Sequence, residues 1–256
     1  MGSNIKFKAA CAKGVGRSHL STNTPCQDYI CTYRNASEGL ISISLSDGAG
    51  SCSLSHIGSR IIVKTVNTYL VKNFADLINS NDIENKKQNI ITEIVKNLQS
   101  RIIKDNESSI KPYSGTLLAI VTDGEKYIAI HLGDGVIGCI DNNESKIISA
   151  PSNGEFSNTT YFVTDKDAVA NLKIFTGDIN TISSFILMSD GTQDSLYNKK
   201  ENSLASAYIK LSEWLNSKTE KKVTKILDEN VKKVFTQKST DDCSIGLLNI
   251  VKKDKC

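Results

Sequence analysis

Five aspartates carry the residue pattern with most chemical content in this chain: Asp28, Asp47, Asp134, Asp190 and Asp241. Each stands at the end of an apolar run, and four of the five lie next to a glycine or a second carboxylate. The fullest version is Leu45-Ser46-Asp47-Gly48-Ala49-Gly50-Ser51, where two glycines let the backbone turn tightly and come close to a ligand. An Asp-Gly pair alone is also an ordinary turn. Brought together, such carboxylates repel one another and lose hydration, a cost that divalent cations reverse. Oxygen donors suit hard ions such as Mg²⁺ or Mn²⁺, which generate hydroxide near neutral pH and clamp both oxygens of an in-line displacement. No Ser/His/Asp pattern, Walker phosphate loop or reactive-cysteine signature competes, so metal-assisted hydrolysis is the leading chemistry.

The elements that must position these carboxylates are mainly strands. Residues 5–11 alternate, and 26–31 read as a strand opening with Asp28. Residues 40–45 alternate as a half-buried strand that ends at Asp47. Residues 117–121, 127–132, 136–140 and 146–149 read as a hairpin series, with Gly133-Asp134-Gly135 as a tight turn inside it. Residues 154–162 lead into a short strand ahead of Asp165. Residues 183–189 are almost all apolar, a strand buried on both faces that delivers Asp190-Gly191. A last strand, 243–250, follows Asp241-Asp242. Helical spacing runs from about 53 through Ile78, over 83–103, near 203–215 and near 220–235, the last with a stripe of Val223, Ile226, Leu227 and Val234.

Composition bounds the alternatives. With 256 residues, 39% hydrophobic and 23% charged, the chain reads as one soluble globular domain, and three prolines with no Pro/Gly/Ser-rich stretch mark no linker. A net charge of +3 with scattered lysines argues against a nucleic-acid partner. No apolar run approaches the roughly 20 residues of a membrane helix, and no signal-like core opens the chain, so a cytoplasmic protein is expected. The seven cysteines form no Cys-x-x-Cys pair and read as buried reduced thiols, while His19, His56 and His131 lie far apart. Gly14-Val15-Gly16 has no third glycine and no expected helix after it, so it is not a dinucleotide fingerprint. Arg17 and His19 in the following loop either touch an anionic substrate or are solvated, and His56 reads as a helix-surface residue or as one that supports the site from behind its ligands.

The order of the pieces resembles one family, the metal-dependent type 2C protein phosphatases and in particular their compact bacterial members. The resemblance spans residues 5–251 as a single domain and rests on Gln27-Asp28, Asp47-Gly48-Ala49-Gly50, Ser114-Gly115-Thr116, Gly133-Asp134, Ser189-Asp190-Gly191 and Asp241-Asp242-Cys243-Ser244. It implies an α+β fold, a four-layer α/β/β/α sandwich with two central antiparallel sheets flanked by helix pairs. It also implies two or three Mn²⁺ or Mg²⁺ ions at one edge. By position, Asp47 would bridge two metals, Gly48 would offer its carbonyl, and Asp190 and Asp241 would complete the second sphere. Asp28 would hold metal-bound water, and Asp134 matches a further, weaker metal position. The substrate would be a phosphoserine or phosphothreonine protein, a Ser/Thr kinase target, attacked by a metal-activated hydroxide. Three departures stand out: Gln27 where many members have Glu, Ala49 where eukaryotic members carry a histidine, and Asn23 near the usual phosphate-binding arginine, for which Arg17 is the nearest candidate. The alternative is a phosphatase-like regulatory or binding protein of the same fold.

Overall fold

The computed structural model describes residues 5–152 and 160–252. In chain order the elements begin with β1 (Ile5–Gly14), α1 (Arg17–Thr22), β2 (Tyr29–Asn35), β3 (Leu40–Ser46), α2 (Ser55–Lys72), α3 (Phe74–Asn79) and α4 (Ile83–Asp105). Next come β4 (Leu117–Thr122), β5 (Lys126–Leu132), β6 (Val136–Asp141), β7 (Glu144–Ser149), α5 (Ala168–Asn171), β8 (Lys173–Asp178) and β9 (Ile182–Met188). The chain ends with α6 (Asp190–Leu196), β10 (Tyr197–Asn198), β11 (Ser203–Leu204), α7 (Ala207–Ser217), α8 (Glu220–Asn230), a π-turn over Val231–Phe235, α9 (Thr236–Lys238) and β12 (Cys243–Lys252). Residues 154–159 of the segment expected to lead into a short strand lie outside the described residues, and ahead of Asp165 the chain forms a turn instead, closed by Asp165 N–H on the Phe162 carbonyl and Phe162 N–H on the Asp165 carboxylate.

Ten strands form two five-stranded sheets, ordered β1-β12-β9-β6-β7 and β2-β3-β4-β5-β8, with every pairing antiparallel. Period-two side-chain alternation builds the layers. Leu118 and Ile120 of β4 face the other sheet, where Ile137, Phe185, Leu187 and Leu248 meet them. Leu117, Ala119 and Val121 point the opposite way, onto Ile62, Val66 and Leu70 of α2 and Ile94 and Leu98 of α4. On the far sheet Ile186, Ile245 and Leu247 pack under Tyr208, Leu215, Val223 and Leu227 of α7 and α8. The result is the α/β/β/α sandwich.

Several elements differ from the sequence reading. β3 is buried on both faces because its serines are paired: Ser42 and Ser44 donate to Asn67 Oδ1 on α2 at 2.5 and 2.8 Å. A mirror device ties the other sheet to α7, where Asn249 accepts from Ser184 and donates to the Ser212 carbonyl. The expected long helix breaks at Asn73, whose side-chain amide donates to the Tyr69 carbonyl and competes with the helix ladder. Gly133-Asp134-Gly135 is no hairpin: β5 and β6 belong to different sheets, so this turn carries the chain across the sandwich. A six-residue helix does follow Gly16, and Val234 is exposed rather than part of the buried stripe. Cys139 and Cys243 are buried free thiols, whereas Cys11, Cys26, Cys31 and Cys52 are only partly covered.

Candidate active site

Strand register brings the five aspartates to one end of the sandwich. Tyr29 pairs with Ser46, so Asp28 and Asp47 flank the same end of β2 and β3. Leu117 pairs with Leu132 there, which puts Asp134 just beyond β5. In the other sheet Met188 pairs with Ile245 and Val136, which places Asp190, Asp241 and Asp134 beside one another. The carboxylates therefore come from both sheets and from the turn between them.

Asp47 is fixed by the Ser114-Gly115-Thr116 segment. Its N–H donates to Thr116 Oγ1 at 2.9 Å, its carbonyl accepts from Thr116 N–H at 2.8 Å, and Ala49 N–H donates to the Ser114 carbonyl at 3.0 Å. A Cβ on Gly48 would lie 2.7 Å from the Gln27 carbonyl oxygen and 2.9 Å from Ser55 Cβ, so only glycine fits between these walls. Gly16 and Gly191 press on the Asp241-Asp242 backbone in the same way, with added Cβ atoms 2.3 and 2.1 Å from it. That contact seats α6, and with it Asp190, against the start of β12.

Burial and mutual repulsion dominate the electrostatics. Burial, then the Asp242 and Asp190 carboxylates, push Asp28 up to about 7. Burial raises Asp190 to about 6, with Asp134 and Asp241 adding to it. Asp47 is held well above the usual carboxylate range by burial and by Asp28, Asp190 and Asp241. Without a cation these groups retain protons at pH values where an ordinary aspartate is ionised. Both carboxylate oxygens of Asp28 are buried without a hydrogen-bond partner, as is Gln27 Oε1. Orphaned anionic oxygens facing further carboxyls fit a hard divalent cation. Among the described residues no three His, Cys, Asp or Glu side chains already close on one ion position, so backbone carbonyls and water would make up the ligand shell.

A match to the family described as Protein phosphatase 2C spans residues 15–231. The chain belongs to the protein phosphatase 2C family. The matched span contains Asp28, Asp47, Asp134 and Asp190 and stops before Asp241. Serine/threonine-protein phosphatase 3 of Escherichia coli (strain K12) is 26% identical over 208 residues, covering 78% of this chain and 79% of that protein. The fold is similar to that of the Staphylococcus aureus serine/threonine phosphatase Stp1, with TM-score 0.66, 16% identity and 97% of each chain covered. It is also similar to the catalytic domain of the phosphatase PstP, solved in complex with two manganese ions, with TM-score 0.61, 14% identity and coverage of 96% and 99%.

This phosphatase 2C chain has further site residues that the sequence reading missed. Asp242 is almost fully buried and accepts from Gly16 N–H at 2.7 Å and Gln27 N–H at 2.6 Å. His19 Nδ1 lies 3.0 Å from the same carboxylate without forming a hydrogen bond. One carboxyl thus holds the loop before α1 and the loop before β2. His131 is buried neutral, pushed down to about 4 by burial. Since a carbonyl can only accept, His131 Nε2 donates to Gly133 at 2.9 Å and Nδ1 accepts from Ser149 Oγ at 2.5 Å. It braces the turn that carries Asp134, whose Oδ2 accepts from Thr160. Arg17 is exposed, and its Nε donates to the Ser239 carbonyl at 3.4 Å. No helix among the described residues is long and apolar enough to cross a membrane.

Proposed function

We propose that this chain is a metal-dependent phosphatase acting on phosphoserine and phosphothreonine in proteins, with residues 5–251 as one catalytic unit working in the cytoplasm. The observation that carries the reading is Asp28: both its oxygens are buried without a hydrogen-bond partner amid carboxyls whose protons are held by burial and by mutual repulsion. Asp47, the Gly48 carbonyl, Asp190 and Asp241 would hold a pair of Mn²⁺ or Mg²⁺ ions, Asp28 would hold water beside them, and Asp134 would help to hold a third, weaker ion. When bound, such ions supply an activated water and neutralise the phosphoryl charge. The chain's own part is to orient. Ser114-Gly115-Thr116 fixes the backbone on both sides of Asp47, and Asp242 holds the Gln27-Asp28 segment against the β12 loop. Arg17, exposed on α1, is the cation offered to the substrate phosphate. Ala49 brings no proton donor, so the leaving serine or threonine oxygen takes its proton from solvent.

The manganese-bound relative and the family's ordered motifs support catalysis over a purely regulatory role. The test is turnover of p-nitrophenyl phosphate and of phosphoserine and phosphothreonine peptides with added Mn²⁺ and with chelator. Hydrolysis in Mn²⁺ that disappears in chelator supports the proposal. No hydrolysis at saturating Mn²⁺, or unchanged hydrolysis in chelator, defeats it.

A further inference from the structure

Helix α2 begins as a wall of the carboxylate site and carries positive charge away from it. Ser55 is one of the groups a Cβ on Gly48 would strike, and Ser59 Oγ donates to the Gln27 carbonyl at 2.6 Å. Beside these two serines, His56, Arg60 and Lys64 follow at four-residue spacing and so stack in one row. Arg101 and Lys104 of α4 face that row across a groove of about 510 Å³. The groove runs on into a second depression of about 550 Å³, where Lys64, Lys72 and Lys96 meet one carboxylate, Glu93. Arg60 also sits over the Tyr29 ring, 5.8 Å from its centroid, and Tyr29 directly follows Asp28.

These cations are exposed and not neutralised by the protein. Among the described residues no carboxylate lies within 4.0 Å of Arg60, Lys64, Lys72, Lys96 or Lys104, whereas Arg101 is taken by Asp105 at 2.7 Å. The whole chain carries only +3, so five unpaired cations along one helix pair are a local concentration. Unpaired like charges held side by side repel, and an anionic partner relieves that repulsion. At 1.5 Å per residue, the row from His56 to Lys72 is about 24 Å long, the span of about seven residues of extended peptide.

We propose that the α2/α4 groove docks an acidic segment of the substrate protein adjacent to its phosphorylated residue. The proposal rests on the phosphatase reading, because it is that site which the groove adjoins. A nucleic-acid strand is disfavoured as occupant, since among the described lining residues His56 and Tyr69 are the only aromatic rings, one in each depression, too few to stack a run of bases.

The experiment uses the full chain and the double variant Arg60→Glu/Lys64→Glu, whose exposed side chains tolerate replacement. Substrates in Mn²⁺ are p-nitrophenyl phosphate, a phosphothreonine peptide with five flanking Asp/Glu residues, and the same peptide with neutral flanks. The wild type is expected to prefer the acidic peptide, mainly through KM, with a preference that shrinks as salt rises. Charge reversal should lower kcat/KM for that peptide by about tenfold or more while leaving p-nitrophenyl phosphate and the neutral peptide unchanged. Equal rates on both peptides in the wild type, or equal losses on all three substrates in the variant, would overturn the docking role. Failure of the wild type on every substrate would instead sink the phosphatase reading. Docking is then read by fluorescence anisotropy of a labelled acidic peptide, where binding weakened by charge reversal supports it and unaltered or absent binding refutes it. A single-stranded RNA of equal charge that displaces the peptide at lower concentration would also overturn the assignment.

Discussion

Replacing Asp28 by asparagine should stabilise the metal-free protein, and more so at high pH. Asp28 is completely buried, and burial with its acidic neighbours pushes it up to about 7 from 3.8. Folding must therefore either protonate Asp28 or bury its charge. The unfolded chain ionises above pH 3.8 and the folded one only near 7, so the penalty grows across that window and is constant above it. At 1.36 kcal/mol per pKa unit it reaches about 4 kcal/mol at pH 8 and about 2 kcal/mol at pH 5. Asparagine keeps the shape and removes the charge. Urea denaturation in chelator should show Asp28→Asn more stable than wild type by those amounts, and Mn²⁺ should reverse the order because the wild type binds the ion better. A variant less stable than wild type in chelator at pH 8, or an equal gain at pH 5 and pH 8, would refute the electrostatic argument.

Other perturbations separate the roles of neighbouring residues. Asp47→Asn should abolish more activity than Asp134→Asn, and only the latter should recover at high Mn²⁺, as a steady-state metal titration will read. Asp242→Ala strands the buried N–H groups of Gly16 and Gln27, so the urea midpoint should fall by the equivalent of about 3 kcal/mol, with Asp242→Asn losing less. His131→Ala removes the partners of Ser149 Oγ and the Gly133 carbonyl and should cost about 2–4 kcal/mol by the same measurement.

Legibility followed the range of the interactions involved. Asp47 and Asp190 could be read because an apolar strand ending in Asp-Gly is a local pattern, and the sandwich was expected from the family resemblance that the ordered motifs carry. Asp242 could not be assigned its part, since its partners Gly16 and Gln27 lie more than 200 positions away and nothing local marks it. The crossing at Gly133 looked like a hairpin because a change of sheet and a turn break the apolar alternation in the same way. β8 escaped notice because, as an edge strand with no fully buried residue, it has no apolar run to detect. α6 was hidden because Asp190-Gly191 at a strand end has the signature of a turn, while here the pair opens a helix. The serines of β3 suggested solvent, and only Asn67 from a distant helix explains their burial.

The central claim is that the clustered carboxylates exist to hold divalent cations, and the most direct measurement is calorimetric Mn²⁺ titration of the chelator-stripped chain in two buffers of different ionisation enthalpy. Asp28, Asp47 and Asp190 bind protons more tightly than an ordinary aspartate, so the account predicts at least two Mn²⁺ per chain with protons released as they bind near pH 6. Fewer ions in Asp47→Asn would follow. Absence of saturable Mn²⁺ binding, or binding with no buffer-dependent heat and no change in Asp47→Asn, would contradict it.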